Sequence, residues 1–205
     1  MNRWLRVFVS LAAAGLVAAC GGGDDDDPGT VAQEAQAGGF TALVAAVDKA
    51  GLTAALSDPA ARLTVFAPSD EAFGTLATQL GFDSATAMVQ ALPATALASI
   101  LTYHVLPTQL SAADLAAGGD TQETLYEFEE APATLALDTE SGVVITDEAL
   151  TTATVTAADV AASNGVIHAI DKVLVPPGVL NVVQMAQVNP LFTSLVGAVV
   201  AADLQ

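Results

Sequence analysis

The sequence predicts an α+β fold in which most helices precede most strands. Through much of residues 30–102, apolar side chains recur at intervals of three and four, which is the period of an amphipathic helix. From about residue 122 the segments TLALD, GVVIT and TATVTA are rich in Thr, Val and Ile and follow a period of two. Helices followed by a run of strands favour a segregated α+β arrangement over alternating α/β units.

Composition places the chain among packed globular proteins and argues against some partners. Of its 205 residues, 53% are apolar and only 14% are charged, with a formal net charge of −18. Binding to nucleic acid requires basic side chains that neutralise phosphates, so we expect no nucleic acid partner. An anionic membrane surface would repel the folded part of the chain.

The N-terminus has the pattern of an export signal. Arg3 and Arg6 are followed by an apolar run over residues 7–19, which is too short to span a bilayer comfortably. The run ends in LVAAC, which resembles the lipobox of bacterial lipoproteins. That resemblance implies removal of residues 1–19 and acylation of Cys20, which would anchor the protein to a membrane of the bacterial cell envelope. The alternative is an ordinary signal peptide with a chance cysteine.

Residues 20–29, CGGGDDDDPG, are predicted to be a tether between the anchor and the folded domain. Glycine gives flexibility, and the adjacent aspartates repel one another and stay solvated. A calcium loop would space its ligands and end in a bidentate glutamate, so we expect no metal here. Gly21, rather than Asp, after the cysteine favours the outer membrane over the inner one, by resemblance to enterobacterial sorting.

The first half of the domain is predicted to be helical around one strand. A helical region over 30–52 stops near Gly51. RLTVFAP is a β-rich run ended by Pro68, and SDEAFGTLATQL follows as a helix. SATAMVQALPATALASILTYHVLP predicts two helical stretches broken at Pro93, then a short strand around Tyr103.

The second half is predicted to be strands joined by acidic loops. Besides the three segments above, GVIHAIDKVLVPP has the composition of a strand. The stretches YEFEEAP and DTESG are expected at solvated loops and hairpin ends.

An internal repeat relates the two ends of the domain. Residues 30–52 align with residues 181–204 when one residue is inserted near Pro190. We therefore predict that 30–177 is one domain and that 178–205 begins an incomplete second copy. Because isolated helices of this length are marginal in water, residues 179–205 are expected to be loosely attached. The alternative is a one-domain protein with a helical tail.

Three segments together resemble the fasciclin (FAS1) family. They are TVFAPSDEAF at 64–73, YHVLP at 103–107 and NGVIHAIDKVLVPP at 164–177, in the order and spacing of that family. The resemblance implies a wedge of two β-sheets with a helical layer, and adhesion or extracellular recognition rather than catalysis. The motif positions that it singles out are Thr64, Phe66, Pro68, Ser69, Asp70, Phe73, Tyr103, His104, Asn164, Gly165, His168 and Asp171.

Ser69 and Asp70 have two interpretations. With His104 they contain the residue types of a catalytic triad, but no Gly-x-Ser-x-Gly elbow surrounds the serine. As a helix cap, Ser69 follows the end of a strand, and Asp70 and Glu71 lie where the helix dipole favours negative charge. We favour the cap.

The two histidines, His104 and His168, are too few for a zinc site, and the folded domain that follows the tether contains no cysteine to add to them. We expect them to be buried and hydrogen-bonded. Tyr103 and His104 are also considered as parts of a recognition surface, which the family resemblance suggests.

The function expected from the sequence is a lipid-anchored, extracytoplasmic adhesion module without cofactors. Its partner would be a cell-surface protein or a matrix polymer. Two other functions are considered. One is a polysaccharide- or lipid-binding module that organises a matrix, which a deep apolar pocket would favour. The other is a hydrolase using Ser69 or His104.

Overall fold

The computed structural model describes residues 27–140, 142–192 and 197. The predicted signal peptide, Cys20 and most of the tether lie outside this part of the chain. The helices are α1 Val31–Ala37, α2 Thr41–Ala50, α3 Thr53–Leu56, α4 Asp70–Gln79, α5 Ala85–Ala91, α6 Ala94–Tyr103, α7 Ala112–Ala117 and α8 Val182–Val188, with a 3-10 turn at Pro190–Phe192. The strands are β1 Leu63–Pro68, β2 Val105–Leu106, β3 Thr121–Phe128, β4 Ala131–Asp138, β5 Val144–Thr146, β6 Thr152–Ala162 and β7 Gly165–Ile170. The α+β prediction is confirmed.

The seven strands within the described residues are hydrogen-bonded in the order β2-β1-β7-β6-β5-β4-β3. All neighbours are antiparallel except β1 and β7, where Leu63 lies opposite Gly165 in a parallel pair. β6 pairs first with β5 and then with β7, and the pairing with β7 contains register shifts between Val155 and Val160. Where it changes partner, Asp171 accepts a hydrogen bond of 2.7 Å from the N–H of Thr154. The two sheets implied by the family resemblance are therefore two halves joined through β6.

Two hydrophobic clusters hold these layers together. One lies between the halves of the sheet and contains Phe66, Leu135 and Ile145. The end strands β2 and β3 contact each other, so the sheet closes over this cluster. The other cluster packs the helices against the opposite side of β1 and contains Phe73 and Leu97. β1 serves both clusters because successive side chains of a strand point to opposite faces.

The predicted strand around Tyr103 is wrong by two residues. Tyr103 is the last residue of α6, and β2 covers only Val105–Leu106. Leu97, Ile100 and Leu101 continue the helical period as far as Tyr103, so tertiary packing extends the helix to that point. The tyrosine side chain thereby reaches the cluster between the sheet halves, while Leu97 and Leu101 belong to the helical one.

The C-terminal helix α8 is attached to the domain. Asn181 caps it in a box with Gln184, as Thr30 does with Gln33 at α1, so the two segments that align in sequence begin with the same local structure. Val188 is buried against the helical cluster. The expected loose attachment is therefore wrong for α8. Residues 193–196 and 198–205, which the same expectation covered, lie outside the described residues.

Among the residues described, no single helix is long and apolar enough to cross a membrane. Of the helices that the structure describes, only α5 and α6 together reach the necessary length and hydropathy, and the chain bends by 117° between them.

Candidate functional site

The polar residues after β1 form a helix cap. The Oγ of Ser69 accepts a hydrogen bond of 3.1 Å from the N–H of Ala72. Asp70 and Glu71 occupy the first turn of α4, where the helix dipole favours negative charge. Phe73 is buried in the helical cluster. This segment therefore has the geometry expected of a strand-to-helix junction.

Asp70 also accepts hydrogen bonds from a second helix, α2, and the sequence did not predict this contact. Its carboxylate accepts hydrogen bonds from the hydroxyl of Thr41 and, at 2.8 Å, from the N–H of Ala42. The N-cap position of α2 is Phe40, whose side chain makes no capping bond. Asp70 therefore satisfies N-terminal donors of α2 from outside that helix and ties it to α4.

His104 joins the end of α6 to the segment that follows β7. Its Nδ1 lies 2.7 Å from the carbonyl oxygen of Ile100, and its Nε2 accepts a hydrogen bond of 2.9 Å from the N–H of Leu174. The proton of the neutral ring therefore lies on Nδ1. Burial lowers the pKa of His104 from 6.5 to about 4, although the bond to Ile100 acts in the opposite direction.

His168, on β7, is also buried between backbone groups. Its Nε2 donates to the carbonyl oxygen of Leu110 at 3.1 Å, and its Nδ1 accepts from the N–H of Asp159 at 3.2 Å. Asp159 lies at a register shift of β6 with a φ of 58°, and its carboxylate accepts from the N–H of Ala112 at 2.8 Å. The histidine therefore fixes an irregular part of β6 beside the start of α7.

Tyr103 and His104 do not form an exposed recognition surface. Their side chains are 0% and 1% exposed. The hydroxyl of Tyr103 donates to the carbonyl oxygen of Thr134 and accepts from the N–H of Glu148, each at 3.1 Å. Burial raises the pKa of this hydroxyl. The recognition-surface hypothesis for these two residues is corrected, because a buried side chain cannot meet a partner without rearrangement.

Asp147 is a buried carboxylate that sequence reasoning missed. It accepts hydrogen bonds of 2.8 Å from both the N–H and the hydroxyl of Thr151, and one of 2.9 Å from the N–H of Val175. Burial raises its pKa, and these bonds act in the opposite direction. The spacing of an acidic residue four positions before a threonine was the available sequence signal, because Asp side chains organise turns in this way. The side chain of Asp147 therefore stabilises the loop over residues 147–151 and connects it to Val175.

Asn164 connects the turn between β6 and β7 to the N-terminal helices. Its Oδ1 accepts from the N–H of Val31 at 2.8 Å, while its Nδ2 donates to the carbonyl oxygens of Leu56 and Asp58 at 3.0 and 2.9 Å. Both the oxygen and the nitrogen of its amide therefore bond to backbone groups that are distant in sequence. The side chain is therefore structural.

Thr64 and Gly165 allow close packing around β1. The hydroxyl of Thr64 donates to the carbonyl oxygen of Thr108 at 2.7 Å and accepts from the N–H of Leu110 at 2.8 Å. A Cβ on Gly165 would lie 2.3 Å from the carbonyl oxygen of Leu63, so only glycine fits.

These bonds leave no catalytic pair among Ser69, Asp70 and His104. The serine oxygen faces its own helix, the aspartate faces α2, and both nitrogens of His104 are bonded to the backbone. A nucleophile requires a base within hydrogen-bond reach. Within the described residues, no group of three or more His, Cys, Asp or Glu side chains is placed to hold a metal ion.

An apolar cavity of about 330 Å³ opens between helices α1 to α3 and the helix-facing side of β1. Buried side chains form its inner wall, including Ala35, Leu43, Val47, Val65, Ala67 and Ile167. Exposed residues form its rim, including Gln36, Asp48, Thr53 and Leu125. The cavity is therefore open to solvent at its rim and apolar inside.

The β3–β4 hairpin presents acidic side chains on the surface. Glu127, Glu129 and Glu130 are exposed, and the turn residues Glu129 and Glu130 have φ values of 51° and 67°. Such values favour Asn and Gly in a two-residue turn. The hairpin therefore carries both charge and backbone strain at its tip.

Comparison with known proteins identifies the family of this chain. The profile of the fasciclin domain matches residues 38–176. The chain belongs to the fasciclin domain family. Its three sequence motifs all fall within or at the edge of the matched region, and they place their polar side chains at the caps and buried bonds described above.

Two relatives of this chain come from Synechocystis sp. (strain ATCC 27184 / PCC 6803 / Kazusa). Protein sll1483 is 41% identical over 140 residues, which cover 67% of this chain and 68% of the relative. Uncharacterized protein sll1735 is 38% identical over 135 residues, which cover 66% of this chain and 88% of the relative.

The fold of the fasciclin domain is also found in a solved structure. This is a FAS1 domain pair from the insect cell adhesion molecule Fasciclin I, with a TM-score of 0.51 and 21% identity. The match covers 82% of this chain and 55% of the domain pair. At this level of identity, the likeness concerns the fold.

Proposed function

We propose that this chain is a lipid-anchored, extracytoplasmic fasciclin module that recognises a cell-surface protein or matrix polymer without catalysis. The observation that carries the proposal is the burial of the motif side chains. Thr64, His104, Asn164 and His168 are buried and bonded to backbone groups, so recognition must use other, exposed residues. The adhesion molecule among the structural relatives supports the same function.

The exposed contact surface in this proposal includes the acidic tip of the β3–β4 hairpin. The chain has 23 acidic and 5 basic residues, so its surface favours partners that carry cationic groups. Glu129 and Glu130 project this charge from a strained turn. Strained backbone positions often belong to binding sites, which supports placing the contact there.

A cell-binding assay tests the proposed recognition function. Labelled protein is incubated with intact cells and with isolated matrix polymers, and the bound fraction is measured. We expect saturable binding that Glu129→Gln/Glu130→Gln weakens. Ser69→Ala and His104→Gln should keep it whenever they remain folded. Loss of binding in a folded Ser69→Ala protein, or turnover of a bound polymer, would contradict the non-catalytic proposal.

The anchor is tested separately by metabolic labelling. If Cys20 is acylated, the protein should incorporate palmitate and partition into the detergent phase. Cys20→Ser should lose both properties, because the thiol that carries the acyl group is absent. Unchanged labelling in that variant would show that Cys20 is not the site of acylation.

A further inference from the structure

We propose that the apolar cavity between α1–α3 and β1 binds one hydrocarbon chain of an uncharged lipid or amphiphile. This ligand differs in class from the surface partner proposed above, and the inference does not depend on that partner. It follows from the volume of the cavity, the polarity of its wall and the charge at its rim.

The volume suits one chain. Protein interiors are normally close-packed, whereas this cavity, which opens to solvent at its rim, holds about 330 Å³. It is about twice the ~150 Å³ of an engineered cavity that binds benzene, and therefore has room for roughly a dozen carbon atoms. Two small residues leave this space open: Ala35 on α1 and Ala67 on β1 both line the cavity where larger side chains would fill it.

Among the described residues, the buried inner wall of the cavity offers no free polar side chain to a sugar. Among the described residues, every buried side-chain nitrogen and oxygen already has a hydrogen-bond partner. His104 is the buried polar side chain that lines the cavity, and both of its nitrogens are bonded to backbone groups. The hydroxyl groups of a polysaccharide would have no hydrogen-bond partners against this wall, which costs free energy. A hydrocarbon chain has no polar groups and would not incur this cost.

The rim disfavours an anionic head group. Asp48 lies at the rim, and its carboxylate accepts a hydrogen bond of 2.7 Å from the hydroxyl of Thr53. The neighbouring Lys49 donates instead to the carbonyl oxygens of Val89 and Gln90, at 2.9 and 2.6 Å. Within the part of the chain that the structure describes, the residues that line the cavity include no Lys or Arg. The negative charge of Asp48 would therefore repel the carboxylate of a fatty acid, whereas it would not repel an uncharged head group.

Calorimetric titration with 1-decanol and with decanoate tests the proposal. The two probes share a chain length and differ in head-group charge. At pH 7, the purified chain should bind 1-decanol saturably with one site, and it should bind decanoate at least tenfold more weakly. Equal affinities for the two probes would overturn the inference about the head group.

Cavity-filling variants locate the site. Ala35→Leu and Ala67→Leu should each weaken 1-decanol binding at least tenfold, because the added side chain occupies the space of the ligand. Ala116→Leu, at an exposed position of α7, is the matched control and should bind like the wild type. If Ala67→Leu fails to fold, Ala35→Leu on the helical wall decides. Wild-type affinity in a folded Ala35→Leu protein would overturn the proposed site, whatever the outcome of the cell-binding assay.

Discussion

At the residue scale, the contribution of Ser69 is open to direct measurement. Ser69→Ala removes the acceptor for the N–H of Ala72 and should lower the free energy of unfolding by about 1 kcal/mol. Ser69→Asp keeps an acceptor at this position and should remain close to the wild type. Ser84→Ala, which removes an equivalent cap of α5, gives the reference value. Denaturant unfolding measures all three.

A loss of several kcal/mol in Ser69→Asp would contradict the capping role. It would mean that the serine hydroxyl donates a hydrogen bond in a buried network, since an aspartate can accept such bonds but cannot donate them.

His104 should make the stability of the domain depend on pH. Its pKa is about 4 in the folded chain and 6.5 in the absence of burial, so between these values only the unfolded chain binds the proton. The free energy of unfolding should therefore decrease as the pH falls from 6.5 to 4, by about 3 kcal/mol in total. Asp147 has a raised pKa, so its protonation acts in the opposite direction and favours the folded chain as the pH falls towards 3.8.

The slope of stability against pH separates these two groups. His104→Gln cannot titrate, so chemical unfolding between pH 6.5 and 4 should show a smaller decrease than in the wild type. The variant is expected to be less stable at pH 7, and the comparison therefore uses the slope. Equal slopes in the two proteins would show that His104 does not carry the effect.

Whether the role of a residue can be predicted from the sequence depends on how far along the chain its hydrogen-bond partner lies. Ser69 bonds a residue three positions away, so its cap could be predicted from the local pattern. Asn164 bonds Val31, more than one hundred positions away, and Asp70 bonds Ala42 in another helix. No local pattern specifies such partners. The expected burial of both histidines could be stated from the sequence, but their acceptors and donors could not.

At the scale of the element, α8 offers a matched pair of valines for testing its attachment. Val188 is 6% exposed and belongs to the helical cluster, whereas Val183 on the same helix is 41% exposed. Val188→Ala should lower the free energy of unfolding by about 1–3 kcal/mol, because it removes buried methyl groups and leaves a cavity. Val183→Ala should change it little. Thermal unfolding of the two variants measures the difference.

A bond from Asn189 gives an independent check of the same attachment. Its Nδ2 donates to the carbonyl oxygen of Ala149 at 2.7 Å, and Asn189→Ala would leave this buried carbonyl unpaired. If Val188→Ala and Asn189→Ala both matched the wild type, α8 would be loosely attached in solution, as the repeat alone suggests.

Helices and strands were predictable to different extents. The helix that follows Ser69 and the strands β4 to β7 follow from periodicity and turn residues. Strand β3 does not, because its residues 126–128 belong to the acidic stretch YEFEEAP, which the sequence pattern places in a loop. The end of α6 could not be predicted in this way. Tyr103 has a high propensity for β-strands, and no stop signal separates it from the helical run before it. The attachment of α8 also depends on tertiary contacts. Met185 and Val188, which pack against the domain, align in sequence with the more polar Glu34 and the smaller Ala37 of α1.

At the scale of the whole molecule, the excess of negative charge should oppose compaction. The net charge of −18 at pH 7 implies repulsion across the folded surface, and salt screens such repulsion. Raising NaCl from about 0.01 to about 0.5 M, where the Debye length falls below about 5 Å, should therefore raise the thermal midpoint. Glu129→Gln/Glu130→Gln should reduce this dependence. A midpoint that does not change with salt in either protein would contradict the argument.

The parallel pairing of β1 with β7 has a consequence for synthesis. Leu63 and Gly165 lie opposite each other, although about one hundred residues separate them in the chain. At ribosomal rates of about 5–20 residues per second, β1 waits several seconds before its partner exists. During that interval the six positions that become buried in β1 lack the part of their native cover that β7 supplies. A nascent chain released before residue 165 would therefore leave the β7-pairing edge of this apolar strand exposed, with only β2 beside it, and would aggregate.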